Sequence, residues 1–173
     1  PIGRFFTAEK ARELTERYGW LMVDDGHRGY RRVVSSPSPV EIVQLDVIRA
    51  SLQAGNVVVC CGGGGIPVIS SKNGVIRGIE AVIDKDRVAA MLAVRLSAPR
   101  LVITTGVSNV FVDFGTPNQR ALGQVTTDDI RRFGAEGQFP PGSMRPKMEA
   151  VLYYLNRLDG HAVVCAPEDL VGA

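Results

Sequence analysis

The chain has 173 residues, 45% of them hydrophobic and 22% charged, with a mean hydropathy of +0.07. That length suits about one domain of roughly 100–200 residues, the composition excludes a disordered chain, and no apolar run approaches the roughly 18 residues of a membrane span. Twenty Lys and Arg against 18 Asp and Glu leave a net charge of +2, too little to imply nucleic acid by bulk charge, though single basic side chains can hold a small anion.

The sequence opens on Pro1-Ile2-Gly3-Arg4-Phe5-Phe6, without an initiator Met, a signal sequence or an arginine-rich presequence, and is expected to begin inside a longer protein. Thr7 to Tyr18 reads as an amphipathic helix with Thr7 as its cap. Trp20–Val23 and Tyr30–Val34 read as short strands joined by the turn Asp24-Asp25-Gly26. The basic stretch Arg28-Gly29-Tyr30-Arg31-Arg32 is compatible with nucleic-acid contacts, but in a near-neutral chain it fits a solvated hairpin better. Ser35-Ser36-Pro37-Ser38-Pro39 then punctuates, so residues 1–38 are expected to form a small lobe and 39–173 a larger α/β unit.

In that larger part, Val40, Val43, Val47, Ala50 and Ala54 mark the apolar stripe of a helix that stops at Gly55. The run Val57-Val58-Val59-Cys60-Cys61 follows, and Leu101–Ile103 and Ala162–Cys165 resemble it. None alternates, which suits parallel strands covered on both faces. Helical patterns over Asp84–Leu96 and Ser143–Leu158 separate the runs, and strands alternating with helices predict an α/β layered sheet. Tyr153-Tyr154 fits the core or a contact between copies. His27 and His161 stand alone without ligand spacing, and the three cysteines, Cys60, Cys61 and Cys165, read as buried reduced thiols.

Three segments carry possible chemistry. Gly62-Gly63-Gly64-Gly65 follows a predicted strand directly, and its bare N–H groups can wrap an anion at the strand's C-terminal end. No Gly-Lys-Ser/Thr follows, and Pro67 and Val68 break the G-x-G-x-x-G pattern; a tight structural turn is the alternative. In Ile83-Asp84-Lys85-Asp86, Asp84 is a natural helix cap, which puts Lys85 at the end where a cation opposes the helix dipole. Either the aspartates neutralise Lys85 at the surface, or Lys85 faces a phosphate while Asp86 holds it. Gly142-Ser143-Met144-Arg145-Pro146-Lys147 repeats the anomaly, with Pro146 in a first helical turn and Lys147 beside it. One polyphosphate would satisfy the glycine turn and both lysines together.

In order, PIGRFF, GHRGYRRVVSSPSP, GGGGIPV, GIEAVIDKD, TTGVSNVFVDFGTPNQ and EGQFPPGSMRPKMEA resemble the carbamate kinases of the amino acid kinase superfamily over nearly the whole chain. The resemblance implies an open αβα sandwich, mainly parallel, with a small protruding α+β lobe. It implies phosphoryl transfer between ATP and carbamate, giving ADP and carbamoyl phosphate, with Mg2+ accompanying the nucleotide. It assigns Lys85 and Lys147 to the transferring phosphoryl group and Asp86 to orienting the site. It assigns Thr105, Gly106 and Val107, with Gly142, Ser143 and Met144, to the nucleotide, and Gly62, Gly63, Gly64 and Gly65 to the phosphate and carbamate region. A cytoplasmic homodimer acting in arginine metabolism, with no nucleic-acid or membrane partner, is the corresponding expectation. The family's N-terminal half and its last strand are missing from this sequence, so the alternative is a non-catalytic nucleotide-binding or assembly fragment.

Overall fold

A computed structural model describes residues 1–26 and 28–172; His27, which carries no assigned role, lies outside the described residues. In chain order the elements are β1 (Ile2–Phe6), α1 (Ala8–Tyr18), β2 (Met22–Asp24), β3 (Tyr30–Arg32), α2 (Leu45–Gln53), β4 (Val68–Ser70), β5 (Ile76–Gly78), α3 (Lys85–Arg95), β6 (Arg100–Thr104), β7 (Phe111–Val112), β8 (Arg120–Ala121), α4 (Thr127–Ala135), α5 (Met144–Leu155) and β9 (His161–Cys165). A 3-10 turn, Pro167–Gly172, follows. They form two compact units, one of residues 1–38 and 66–83, the other of 39–65 and 84–173. Residues 66–83, which the sequence placed with the larger part, fold with the small lobe.

In the first unit β1, β3 and β2 make an antiparallel sheet in that order, with Phe6 opposite Tyr30 and Val23 opposite Arg31. α1 begins where expected: the Thr7 hydroxyl accepts the Lys10 N–H at 3.3 Å, and Gly19, at φ 66°, ends the helix in the left-handed region. Ala11 and Leu14 are its buried residues. Gly29, at φ 116°, passes so close to β1 that an added Cβ would lie 2.8 Å from the Phe6 carbonyl, so only glycine fits. The basic stretch is stacked and paired. Arg32 lies 4.4 Å from the Trp20 ring centroid and 2.8 Å from Glu80, while Arg31 meets Asp25 at 3.0 Å.

The second unit is built on β6 and β9, paired in parallel from Arg100 opposite His161 to Thr104 opposite Cys165. α3, α4 and α5 supply most of the core with Ala90, Ile130, Phe133, Met148, Val151 and Tyr154, against Leu101 and Ile103 of β6. Leu101 and Ile103 are buried, yet Val102 between them is 40% exposed. The described residues therefore cover one face of β6, where two covered faces were expected.

Two further expectations fail in the same way. Val57–Cys61 is not a strand, and Val57 and Val59 are 96% and 97% exposed, because a strand needs a ladder partner and none of the described strands supplies one. The helix after Pro39 shortens to α2, and its predicted apolar stripe faces outward: Val40, Val43 and Val47 are exposed and Ile48 is buried instead. Ile48, with Arg49 donating to the Arg95 carbonyl at 3.1 Å, holds α2 onto the unit.

α4 starts at a reciprocal cap. The Thr126 hydroxyl accepts the Asp129 N–H, and the Asp129 carboxylate accepts the Thr126 N–H at 3.0 Å and its hydroxyl at 2.7 Å. The Thr126 side-chain bond, then its backbone bond, hold the Asp129 carboxyl below its ordinary value. A group depressed in this way contributes stability above its unfolded value and loses it as pH falls through the folded one. In Thr126→Ala the Asp129 carboxyl is expected to titrate higher, back toward an ordinary aspartate, in a carbon-detected NMR titration; an unmoved midpoint would refute the cap as the cause.

Candidate active site

Asp84 starts α3 by accepting the N–H groups of Asp86 at 2.9 Å and Arg87 at 3.0 Å on one carboxylate oxygen, as its sequence position predicts. Lys85 is then the first helical residue and is exposed, while Asp86 points inward at 6% exposure. α5 starts differently. Ser143 precedes it without a side-chain cap, no acidic residue occupies its first turn, and Pro146 and Lys147 stand near its start. Its first N–H groups are therefore left without a side-chain acceptor at the positive end of the helix dipole.

The two helix starts meet. Lys147 Nζ donates to Asp86 Oδ2 at 3.0 Å, with side chains only 10% and 8% exposed. The carboxylate offered by the sequence as a brace for Lys85 is thus bonded to Lys147, 61 residues away. Beside it Arg87 pairs with Glu149 at 2.9 Å. At the other ends of the helices, the hydroxyl of Tyr154, in the last turn of α5, donates to the carbonyl of Ala98, just past α3, at 2.7 Å. α3 and α5 therefore run in the same direction.

That direction fixes where the pair lies. Ala98 and Pro99 lead directly into β6, and the Pro99 carbonyl accepts the His161 N–H, the first of β9, at 3.0 Å. The C-terminal ends of both helices thus lie by the N-terminal ends of both strands. An 11-residue helix and a five-residue strand each span about 16–17 Å, so the helix starts stand level with Thr104 and Cys165. In open α/β sheets, ligands bind at this edge. Two positive helix ends, one buried lysine and one exposed lysine stand at that edge.

The other assigned residues lie on separate loops of the same unit, apart from Met144, which opens α5. Thr105 extends the ladder by one bond, its N–H reaching the Cys165 carbonyl at 2.9 Å, after which Gly106 and Val107 leave the sheet. Gly142 takes φ 77° and Ser143 Oγ reaches the Pro140 carbonyl at 3.5 Å. In the glycine segment the Gly64 N–H donates to the Cys61 carbonyl at 2.8 Å, closing a turn in which Gly62, Gly64 and Gly65 have positive φ. A Cβ at Gly62, Gly63 or Gly65 would meet open space, so at Gly62 and Gly65 the positive φ, not crowding, favours glycine.

Sequence reasoning passed over a second device, a clamp behind these loops. Gln138 accepts the Asp113 N–H at 2.7 Å and donates to the Asp113 carboxylate at 3.0 Å, holding Asp113 at φ 52°. This ties the loop after β7 to the linker that leads into α5. Both residues lie inside quoted motifs, but nothing local in either marks a partner 25 residues away. Among the described residues no group of three or more His, Cys, Asp and Glu could hold a metal ion. Among the same residues no helix is long and apolar enough to cross a membrane.

The chain is 45% identical over 171 residues to a carbamate kinase of Staphylococcus haemolyticus, covering 98% of this chain and 55% of that protein. Among solved structures, a protein of Aeropyrum pernix K1 matches with a TM-score of 0.91 at 41% identity, over 98% of this chain and 55% of that one. A carbamate kinase of Giardia lamblia bound to AMP-PNP matches with a TM-score of 0.86 at 34% identity, over 99% and 55%. The chain thus spans about half the length of the relatives it matches. The pattern of the amino acid kinase family covers residues 8–166, nearly the whole α/β chain with its buried ion pair, and the chain belongs to that family.

Proposed function

We propose that this chain carries the nucleotide-binding half of a carbamate kinase, which transfers a phosphoryl group between ATP and carbamate and yields ADP and carbamoyl phosphate. The observation that carries this reading is the Asp86–Lys147 pair, buried where two helix starts meet the C-terminal edge of the parallel strands. Phosphoryl transfer asks the protein for alignment and for fixed charge around the moving group. Lys147 supplies that charge from a position set by Asp86, and exposed Lys85 supplies a second charge at the start of α3. Thr105–Val107 and Gly142–Met144 hold the nucleotide, magnesium travels with its phosphates, and Gly62–Gly65 face the phosphate and carbamate. The working enzyme is a cytoplasmic homodimer acting in arginine metabolism.

Uncovered apolar surface supports the second half of the reading. Val57, Val59, Val40, Val47 and the open face of Val102 need further sheet and helix from the same kinase domain, and the relatives' greater length fits that need. The 173-residue chain is therefore expected to bind ADP, followed by calorimetry, and to form no ATP from ADP and carbamoyl phosphate. Absence of ADP binding would refute the nucleotide assignment, while ATP synthesis by this chain alone would refute its being half of a site.

A further inference from the structure

Cys60 and Cys61 stand at the entry to the glycine turn, and the structure treats them differently from Cys165. Cys165 is buried at the end of β9, whereas Cys60 and Cys61 are half-buried free thiols in a segment outside every strand. The two side chains are neighbours in sequence, and Cys60 is among the groups that act on the Cys61 thiol. Cys61 has φ 61°, a left-handed conformation uncommon for a residue with a side chain. Its carbonyl accepts the Gly64 N–H at 2.8 Å, so the conformation of Cys61 is coupled to the turn that follows.

Burial, then the neighbouring Cys60, push the Cys61 thiol up, which disfavours reagents that need a single thiolate. A direct disulfide is also disfavoured. Adjacent Cα atoms lie about 3.8 Å apart across a trans peptide, closer than the roughly 4.4–6.8 Å of ordinary disulfides. One soft atom that binds both sulfurs and holds them apart meets neither obstacle, and thiolates prefer soft partners.

We propose that Cys60 and Cys61 form a dithiol site for trivalent arsenicals, and that capture there rigidifies the Gly62–Gly65 turn. With phenylarsine oxide, two As–S bonds form and the As=O bond breaks. Its oxygen leaves as water with both thiol protons, and the oxidation state of arsenic and sulfur is unchanged. The adduct itself is independent of the kinase reading; any consequence for phosphate binding rests on that reading.

The test is intact-mass measurement of the 173-residue chain after phenylarsine oxide, with hydrogen exchange of the peptide spanning the glycine turn. One phenylarsenic group per chain is expected, stable to excess 2-mercaptoethanol and removed by 2,3-dimercaptopropanol. It is expected to persist in Cys165→Ser and to be lost in both Cys60→Ser and Cys61→Ser. Exchange in the turn is expected to slow on capture, and Cys60→Ala, which leaves the Cys61 carbonyl in place, controls for misfolding by keeping the unreacted exchange pattern. No adduct on the unmodified chain, removal by the monothiol, or an adduct at full level in either single variant would overturn the site. Unchanged exchange in the adduct would overturn the coupling. Loss of ADP binding bears only on the kinase reading.

Discussion

Lys147→Ala in the complete enzyme is expected to lower ATP formation from ADP and carbamoyl phosphate by about 100- to 1,000-fold, the usual worth of one preorganised charge in a transition state. The same change also leaves the Asp86 carboxyl 6% exposed and without its lysine. Breaking a buried pair from one side typically costs about 3–5 kcal/mol, so part of the loss could be structural. The two contributions separate in Asp86→Leu/Lys147→Met, which removes both charges and keeps apolar volume. Replacing a whole buried pair in this way is often neutral or stabilising. The double variant is expected to recover most of the melting temperature lost in Lys147→Ala and none of the turnover. A double variant that regains activity together with stability would show that the pair holds the fold and does not act on the phosphoryl group.

The second large effect is expected at Tyr154, fully buried between α3, α5 and the entries to both parallel strands. Burial pushes its phenol up, so it stays neutral and donates to the Ala98 carbonyl at ordinary pH. Tyr154→Ala removes an aromatic side chain that the core cannot refill and is expected to cost about 3–5 kcal/mol. At about 2–4 °C per kcal/mol for a chain of this size, calorimetry would record a drop of about 6–20 °C. Tyr154→Phe keeps the ring and is expected to cost about 0.5–1.5 kcal/mol for the lost hydrogen bond. Equal losses in the two variants would place the contribution in the hydroxyl and contradict the packing account. Gly160 belongs to the same contact: a Cβ there would overlap the Tyr154 hydroxyl and come within 3.0 Å of the Pro99 carbonyl.

Some of this was legible residue by residue. Thr7 and Asp84 announce their helices because a cap acts on N–H groups two or three positions along the chain. Leu101–Ile103 and Ala162–Cys165 are strands as expected, and Tyr154 is core. The anomaly of lysines at helix starts was legible too, since it needs only helix boundaries and the direction of the dipole.

Tertiary structure decided the rest. The sequence reads Asp86 as a brace for its neighbour Lys85, and only the parallel packing of α3 on α5 gives that carboxylate to Lys147. The Gln138–Asp113 clamp was hidden for the same reason, because a side-chain amide carries no sign of its partner. Val57–Cys61 and the stripe of Val40, Val43 and Val47 show the converse. Their composition specifies a strand and a buried helix face, but a strand exists only with a hydrogen-bonded neighbour and a face is buried only when something covers it. Caps and periodicity act within a few residues and belong to the sequence itself; pairing and burial act between distant segments, and for this chain only the assembled structure assigns them.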